Sequence, residues 1–310
     1  MLPCEANYPG AMAPLICEEY NLKFVTFKTE QGDRLGLVDG NQVIDVNAAN
    51  PGIPADIRAA LRAGIDLVAA GKDLIKQEPA QRHALAGLTF APVVPEPGKT
   101  ICLGLNYYDH AAEGGREKPV YPWFFLRATS SLLAHNETAL LPKVSERLDY
   151  EAEVAVVINK TTGRHVPQDK ALDYVFGYAC FNDISVRDYQ KKTPQWTIGK
   201  NFDKTGGFGP ILVSADELPA GAEGLRIQSR LNGQVMQDAN TKDMIWNVAE
   251  TIALLTECMT LEPGDVIIMG TPAGVGQART PPVWMKAGDR VEIEIENIGV
   301  LVNTIGAEGA

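Results

Sequence analysis

The sequence predicts an α+β protein that is mostly β, with a small N-terminal domain and a larger sheet-rich domain. Short runs that are apolar, or that alternate apolar and polar residues, recur along most of the chain and are typical of strands. Extended helical spacing is confined to two stretches. Strands therefore do not alternate regularly with helices, which argues against a parallel βαβ architecture and favours mixed sheets.

The composition allows one large domain with a smaller one and excludes two classes of partner. The chain has 310 residues, of which 45% are hydrophobic, so it can build a core without disulfides or structural metals. Its net charge of −11 gives no electrostatic basis for binding nucleic acid or an anionic membrane.

The cysteines and the apolar runs indicate a cytoplasmic protein. Five scattered cysteines form no Cys-x-x-Cys pair, which argues against a disulfide framework and against a zinc site. No apolar run approaches the ~18 residues that span a bilayer. The N-terminus shows no secretory signal. We therefore expect reduced thiols in the cytoplasm.

The first third of the chain predicts an arm and then a small folded unit. Residues 1–20 contain prolines and little apolar pattern, which is typical of a loosely ordered arm. An antiparallel meander follows between Leu22 and Val46, and helical spacing extends over residues 55–85. Three prolines within residues 91–99 indicate a linker.

The linker separates a small α+β domain, residues 21–92, from a sheet-rich domain, residues 97–306. The second domain is predicted to contain strands, one hairpin and one long helix. These are a strand at 100–104, a hairpin at 226–236 that turns at Asn232-Gly233, a helix at 243–261, and strands at 265–269 and 290–296.

Two glutamates lie two residues apart in an apolar, β-branched run. Residues i and i+2 of a strand project to the same face, so Glu151 and Glu153 point the same way, about 7 Å apart along the strand. Like charges on a half-buried face repel, and a divalent cation with oxygen ligands would relieve the repulsion. The alternative is an ordinary solvated face, which is how we interpret a second such series, Glu292, Glu294 and Glu296.

A third carboxylate follows at Asp183, where another apolar stretch ends. Arg187 and Gln190 follow it at helical spacing, so the three side chains can share one face. Three carboxylates with waters suit a hard octahedral ion. The sequence therefore predicts Mg²⁺ or Mn²⁺ held by Glu151, Glu153 and Asp183. The alternative for Asp183 is the N-cap of a helix.

Candidates for proton transfer and charge stabilisation lie on either side of these carboxylates. His110 and Glu113 are three residues apart in a predicted short helix that Asn106 could cap. A carboxylate beside an imidazole raises its basicity and suits it to act as a general base. Lys200 could stabilise an oxyanion or an enolate, and its alternative is an exposed surface charge.

A glycine-rich loop at residues 270–276 follows a predicted strand and contains Thr271. Its backbone N–H groups could bind an anion. The loop lacks both the GxGxxG pattern and a P-loop lysine, so nucleotide binding is excluded. An ordinary tight turn is the alternative.

Five motifs occur in a defined order along the chain. They are Asn106-Tyr107-x-Asp109-His110-x-x-Glu113, Leu148-Asp149-Tyr150-Glu151-x-Glu153, Asn182-Asp183-x-Ser185-x-Arg187-Asp188-x-Gln190, Gly199-Lys200-x-Phe202-Asp203 and Gly270-Thr271-Pro272-x-Gly274-Val275-Gly276. Together they resemble the fumarylacetoacetate hydrolase family, in its smaller bacterial-type branch. The likeness extends from about Ile101 to Ile305.

The resemblance implies a distorted β-roll with a metal ion at its mouth, in a protein that forms a homodimer. It implies three metal ligands, Glu151, Glu153 and Asp183. It implies a catalytic dyad of His110 and Glu113, together with Lys200, which would stabilise charge. The substrate contacts that it implies are Arg187, Gln190, Thr271, Tyr107 and Arg127. Arg127 stands where lysine is often expected, and a further metal-binding aspartate of the founding animal enzymes has no clear counterpart.

The implied activity is hydrolysis of a carbon–carbon bond in a 2,4-diketo acid (an acylpyruvate), which gives pyruvate and a carboxylic acid. His110 would take a proton from water, and the ion and Lys200 would stabilise the enolate that is released. The alternatives are decarboxylation or tautomerisation of oxaloacetate, isomerisation of a hydroxymuconate-type acid, and non-catalytic binding of a metal and an organic acid. A Rossmann dehydrogenase is excluded because its glycine fingerprint is missing.

Overall fold

The computed structural model describes residues 22–115 and 117–309, so the predicted arm at residues 1–20 lies outside the described residues. Within these ranges the strands, in chain order, are β1 (Lys23–Thr29), β2 (Gly32–Asp39), β3 (Gln42–Asp45), β4 (Arg82–Ala84), β5 (Thr100–Gly104), β6 (Trp123–Leu126), β7 (Leu132–Leu133), β8 (Thr138–Leu141), β9 (Leu148–Asp149), β10 (Ala152–Ile158), β11 (Val175–Asp183), β12 (Ser185–Val186), β13 (Gly206–Ser214), β14 (Arg226–Leu231), β15 (Gln234–Asn240), β16 (Val266–Ile268), β17 (Arg290–Ile295) and β18 (Gly299–Ala307). The α-helices are α1 (Val46–Ala49), α2 (Ile57–Arg62), α3 (Leu67–Gln77), α4 (Tyr108–Glu113), α5 (Arg187–Gln190), α6 (Thr197–Lys200) and α7 (Val248–Cys258).

Most strands belong to one large mixed sheet, with the order β4-β3-β2-β1-β13-β11-β10-β16-β5-β6. A second sheet has the order β15-β14-β17-β18-β8, and the short strands β9 and β12 pair with each other. Both large sheets combine antiparallel pairs with parallel ones, such as β16 with β5 and β18 with β8. The predicted class, α+β and mostly β with mixed sheets, is confirmed.

The predicted N-terminal meander is confirmed, and it continues the large sheet. β1, β2 and β3 are antiparallel neighbours, and β1 also pairs with β13, where Phe24 lies opposite Leu212. The proline-rich segment packs against β1, since Thr26 Oγ1 donates to the carbonyl of Val93 at 2.8 Å. Residues on both sides of the predicted linker thus contribute to one sheet, and the division between residues 92 and 97 stays a prediction.

The helical stretch predicted at residues 55–85 is shorter and divided. A turn at Gly64, whose φ is +71°, separates α2 from α3. α3 ends just before Pro79, which cannot continue a helix. The chain then forms β4 beside β3, so the expectation of helix up to residue 85 is wrong. Turn residues, rather than apolar spacing, set the helix ends here.

The helix predicted at residues 243–261 begins later and ends earlier, as α7. Asn247 caps it, because its Oδ1 accepts from Glu250 N at 2.9 Å. The other predicted elements of this region are confirmed as β5, β16, β17 and the β14–β15 hairpin. Asn232 and Gly233 form the hairpin turn, with φ of +51° and +81°.

No helix in the described ranges combines the length and the apolar character needed to cross a membrane. α3 and α7 each have only 11 residues.

The candidate site is positioned by β10 and β11, two neighbouring strands in the middle of the large sheet, in which every residue is buried. The two strands are antiparallel, with Ala152 opposite Asn182. The carbonyl of Glu151 accepts from Asp183 N at 3.0 Å. The start of β10 therefore meets the end of β11, which brings Glu151 and Glu153 beside Asp183.

Candidate active site

Three carboxylates converge where β10 begins and β11 ends. Glu151, Glu153 and Asp183 each offer one carboxylate oxygen, and these three oxygens lie within 4.8 Å of one another. All three residues are at most 4% exposed. The solvated-face alternative for the glutamate pair is therefore wrong. The helix-cap alternative for Asp183 is also wrong, because α5 begins at Arg187 without a side-chain cap.

Three cationic side chains contact this acidic triad (Glu151, Glu153 and Asp183). Lys200 Nζ donates to Asp183 Oδ2 at 2.5 Å and also to Glu151. Arg187 Nη1 lies 2.6 Å from Glu151 Oε1, and Arg127 donates to Asp183. Lys200 is only 2% exposed, so the surface-charge alternative for this lysine is wrong.

The members of the triad differ in their electrostatic surroundings. Burial acts to raise the pKa of Glu151, but the charges of Arg187 and Lys200 outweigh it and hold that pKa well below its usual range. For Glu153, burial and then the charges of Asp183 and Glu151 raise the pKa well above its usual range. Glu153 is therefore the triad member that would gain most from additional positive charge.

The triad fits a hard divalent cation. Carboxylate oxygens are the donors that Mg²⁺ and Mn²⁺ prefer, and three buried oxygens at this separation can converge on one ion. Positive charge at this place would also oppose the repulsion that raises the pKa of Glu153. The convergence that the metal prediction requires is thus present.

His110 and Glu113 of α4 form a close pair. His110 Nδ1 lies 2.8 Å from Glu113 Oε1, and Glu113 Oε2 accepts from Gly274 N at 2.8 Å. A carboxylate at Nδ1 favours the tautomer that carries its proton there, which leaves Nε2 as the basic nitrogen. His110 lines the same cavity as the triad.

Asn106 does not cap α4, so that expectation is wrong. Its side-chain amide donates to the carbonyls of Trp246, at 3.0 Å, and Met269, at 2.7 Å. Its Oδ1 accepts from Trp246 N at 2.8 Å. α4 begins after Tyr107 without a side-chain cap. Asn106 instead joins the segment before α4 to the segments that follow β16 and precede α7.

The glycine-rich loop donates backbone N–H groups to anions, and these anions are carboxylates of the protein itself. The donor–acceptor pairs are Gly270 N to Glu153 Oε2 at 2.6 Å, Gly274 N to Glu113 Oε2 at 2.8 Å and Gly276 N to Asp149 Oδ1 at 2.8 Å. A Cβ at Gly276 would lie 2.0 Å from the carbonyl oxygen of Val283, so a larger residue does not fit. One loop therefore orients a triad residue and the partner of His110.

A cavity of about 160 Å³, here called the inner cavity, opens beside the triad. Most of the predicted site residues line it, namely His110, Glu151, Glu153, Asp183, Arg187, Gln190, Lys200 and Thr271. Apolar side chains also line it, namely Leu103, Phe125 and Trp196. The inner cavity thus combines an acidic triad, two fixed cations and an imidazole in a space suited to a small organic acid.

Tyr107 and Arg127 do not line the inner cavity. Arg127 is buried, and it donates to Asp183 and to Thr205 Oγ1, the latter at 2.9 Å. Tyr107 is also buried, and burial followed by the charge of Glu153 raises its pKa. The structure places Arg127 directly against a triad carboxylate. Substrate contact by either residue stays a prediction.

Asp149 is a positioning residue that the sequence motifs did not mark as one. It is fully buried and accepts from Arg187 Nε at 2.8 Å, from Gly276 N at 2.8 Å and from Gln277 N at 3.0 Å. It therefore fixes the guanidinium of Arg187 against the glycine-rich loop. The available signal was its spacing, since Asp149 extends the alternation of Glu151 to one more carboxylate.

Gln237 of β15 is a second residue of this kind. Its Oε1 accepts from Ala152 N at 3.0 Å. Its Nε2 donates to Thr271 Oγ1 at 2.7 Å and to the carbonyl of Pro272 at 2.8 Å. Gln237 thus joins the start of β10 to the glycine-rich loop. No local motif indicates this role, because the residue comes from the other sheet.

Most of the chain matches a known protein family. The model of the fumarylacetoacetate (FAA) hydrolase C-terminal domain matches residues 99–306. The chain belongs to the fumarylacetoacetate hydrolase family. The resemblance inferred from the five motifs is therefore confirmed, and the family's fold is confirmed with it by the structural similarity to solved members.

Similar proteins in this family carry names of different activities. A mitochondrial oxaloacetate tautomerase of Homo sapiens is 37% identical over 292 residues, which cover 92% of each chain. The structure of a fumarylacetoacetate hydrolase from Exiguobacterium antarcticum has a TM-score of 0.79 and 30% identity, over 93% of this chain and 100% of that one. Maleylpyruvate hydrolase from Sphingobium sp. SYK-6 has a TM-score of 0.74 and 30% identity, over 91% and 99% of the two chains.

Proposed function

We propose that this chain is a metal-dependent enzyme that interconverts the keto and enol forms of oxaloacetate or a closely related 2-oxo acid. One observation carries the proposal: the base His110 and the acidic triad face the same cavity. Removal of a proton next to a carbonyl requires a base and positive charge near the oxygen that becomes negative. The similarity to the human oxaloacetate tautomerase supports this choice of substrate.

We also propose that Glu151, Glu153 and Asp183 hold Mg²⁺ or Mn²⁺. When bound, the ion would supply positive charge that polarises the 2-oxo group and stabilises an enolate. The choice of these two ions rests on a donor set made entirely of carboxylate oxygens.

His110 would move the proton. Its Nε2 takes a proton from C3 of the keto acid, the C–H electron pair becomes the C2–C3 double bond, and the C2 oxygen receives the charge. Return of the proton to that oxygen gives the enol, and the reverse order gives the keto acid. Glu113 holds the imidazole through Nδ1 and stabilises its protonated form during the transfer.

Lys200 and Arg187 would bind and orient the acid as fixed positive charges in the wall of the inner cavity. Burial opposes the charge on Lys200, but the charges of Asp183 and Glu151 outweigh it and raise the pKa of Lys200. Gln190 accepts from Arg187 Nη1 at 3.0 Å, so its amide N–H₂ group can face the substrate. These side chains favour an anionic ligand over a neutral one.

The test follows the ultraviolet absorbance of enol-oxaloacetate as it converts to the keto form. We expect the purified protein to accelerate the conversion with Mg²⁺ or Mn²⁺ present, and a chelator to restore the uncatalysed rate. His110→Ala should lower the catalysed rate by about 10²-fold or more. A rate that is indifferent both to the chelator and to His110→Ala would contradict the proposal.

Acylpyruvate hydrolysis is a second candidate, because an imidazole held by a carboxylate can equally take a proton from water. The hydroxide would add to the C4 carbonyl, the C3–C4 bond would break, and its electron pair would leave as the enolate of pyruvate. Similarity to the maleylpyruvate hydrolase structure supports hydrolysis as the second candidate function. An assay of pyruvate release from a panel of acylpyruvates, with oxaloacetate included to detect decarboxylation, separates the candidates.

We further propose a cytoplasmic homodimer. The family resemblance supports the dimer, and light scattering should then give about twice the chain mass of 33.5 kDa. A cytoplasmic location agrees with free thiols at Cys102, Cys180 and Cys258, the cysteines within the described residues. Fractionation of the source cells would test the location.

A further inference from the structure

A second cavity adjoins the first. It has a volume of about 290 Å³, and the residues that line it are Arg147, Arg187, Lys191, Gln277, Pro282 and Trp284. Arg187, Lys191 and Gln277 line the inner cavity as well. The second cavity, here called the outer chamber, therefore shares a wall with the place where the 2-oxo acid would bind.

The charged residues that line the outer chamber are all basic, namely Arg147, Arg187 and Lys191. This is notable in a chain whose net charge is −11. Asp149 and Glu151 contact Arg187 without lining the outer chamber. Glu146 and Asp188 line a further cavity, which also includes Arg147. A local excess of positive charge in a concave surface attracts an anion even when the whole protein is acidic.

Arg187 connects the two cavities and has unused hydrogen-bonding capacity. Its Nε contacts Asp149 and its Nη1 contacts Glu151. Its Nη2 is buried and has no hydrogen-bond partner among the described residues. A buried N–H group without an acceptor is unfavourable, and an oxygen atom of a bound carboxylate would satisfy it.

We propose that the outer chamber binds a second carboxylate of the substrate, so that the enzyme selects dicarboxylic 2-oxo acids over monocarboxylic ones of the same length. The inference rests on the proposed function, since the inner cavity must take the 2-oxo acid end. Arg147 and Lys191 supply the charge. Pro282 and Trp284 supply apolar surface for the carbon chain between the two ends.

Three probes separate the two cavities. Oxalate binds divalent cations and has no chain that could enter the outer chamber. 2-Oxohexanoate and 2-oxoadipate have chains of equal length, and only 2-oxoadipate has a second carboxylate. Each probe is titrated calorimetrically into the full-length protein with Mn²⁺ present, at low and at high salt.

The same titrations are made with Arg147→Gln/Lys191→Gln and with Lys192→Gln. The last variant is a matched control, because it removes the same charge as Lys191→Gln one residue along the chain. Lys192 Nζ lies 3.2 Å from the centre of the Tyr189 ring, and Lys192 is not among the residues that line the outer chamber.

We expect wild-type protein to bind 2-oxoadipate roughly three- to tenfold more tightly than 2-oxohexanoate at low salt, and by a smaller factor at high salt. The double variant should lose this preference, whereas Lys192→Gln should keep it and bind oxalate as wild type does. Equal binding of the two six-carbon acids, or a preference that survives in the double variant, would overturn the inference. No Mn²⁺-dependent binding of oxalate would overturn the proposed function, and the inference with it.

Discussion

Two places in the molecule carry glutamates at alternate strand positions, and the two sets differ in burial and in the side chains that they contact. Glu151 and Glu153, at the start of β10, are buried and face Asp183 beside the inner cavity. Glu292 and Glu294 lie on β17 of the second sheet, where no cavity of the site reaches them. The spacing of the residues is identical, so spacing alone does not explain the difference.

On β17 an arginine lies directly opposite the glutamates. Arg230 of β14 is in register with Glu292, and its Nε and Nη1 lie 2.5 Å from carboxylate oxygens of Glu292 and Glu294, respectively. Arg290 also pairs with Glu292. Glu292 is therefore largely covered, and the expected solvated face is observed for Glu296 and in part for Glu294. Cross-strand partners neutralise these charges within the sheet.

At the start of β10 the cations come from separate segments of the chain. Arg127, Arg187 and Lys200 contact Glu151 or Asp183, while the pKa of Glu153 remains raised by burial and by its neighbouring carboxylates. The comparison teaches that i, i+2 spacing predicts a shared face. What lies opposite that face decides whether the charges are neutralised locally or are available to a ligand.

The largest expected effect separates the two glutamate pairs. Glu153→Gln keeps the shape of the side chain and removes the charge of one triad member. We expect Mn²⁺ affinity to fall about 100-fold or more and the tautomerisation rate to fall about 10³-fold. Because burial and two carboxylates raise the pKa of Glu153, the neutral variant should be at least as stable as wild type. Calorimetric Mn²⁺ titration, the enol assay and thermal unfolding measure the three quantities.

Glu294→Gln is the matched control on β17. It removes one carboxylate of the other alternating pair, which contacts Arg230 at a partly exposed position. Activity and Mn²⁺ affinity should stay within about twofold of wild type, and the free energy of unfolding should fall by less than about 1 kcal/mol. Similar losses of Mn²⁺ affinity in both variants would show that the two pairs do not differ as described.

The next effect separates proton transfer from charge binding. Glu113→Gln removes the carboxylate that holds His110 Nδ1 and leaves the triad unchanged. We expect kcat to fall about 10²-fold, with Mn²⁺ affinity preserved. The enol assay gives the first quantity and calorimetry the second. If Mn²⁺ affinity fell in parallel with kcat, Glu113 would be acting through the triad and not through the base.

The sequence predicted the triad because its members lie at the ends of largely apolar strands, Glu151 and Glu153 at the start of one and Asp183 at the end of another. It also predicted the pair His110–Glu113, because both lie within one helical turn. It did not predict the role of Gln237, which acts across two sheets. It misassigned Asn106, whose partners are more than a hundred residues away. Contacts within one element follow from periodicity, whereas contacts between distant segments depend on packing that no local pattern records.

A third, smaller effect compares a buried ion pair with an exposed one. Asp149→Asn weakens the fully buried contact with Arg187 Nε and should lower the free energy of unfolding by about 3 kcal/mol, because it leaves a buried charge poorly paired. It should also raise KM, since Arg187 lines the inner cavity. Asp238→Asn breaks the exposed pair with Arg226 and should change neither quantity measurably. Urea unfolding measures the free energy of unfolding and steady-state kinetics measure KM. Equal stability of the two variants would contradict the prediction.

The smallest expected effect is a pH dependence of the free energy of unfolding, and it arises at His135, which is influenced by Arg290 of β17. Burial, followed by the charge of Arg290, lowers the pKa of His135 to about 4, and the neutral ring accepts from Val302 N at 3.1 Å. Because the folded pKa lies below the ordinary 6.5, the unfolded chain binds the proton first as pH falls. The contribution of the neutral His135 ring to the free energy of unfolding is therefore complete above about pH 6.5 and is lost progressively towards pH 4.

Between pH 7 and pH 4.5, we expect the free energy of unfolding of wild type to fall by roughly 1–2 kcal/mol more than that of His135→Asn, after allowing for solvent screening of a partly exposed ring. Urea unfolding with a chelator present measures the difference, and parallel pH profiles for the two proteins would show that His135 is already protonated or exposed in the folded state.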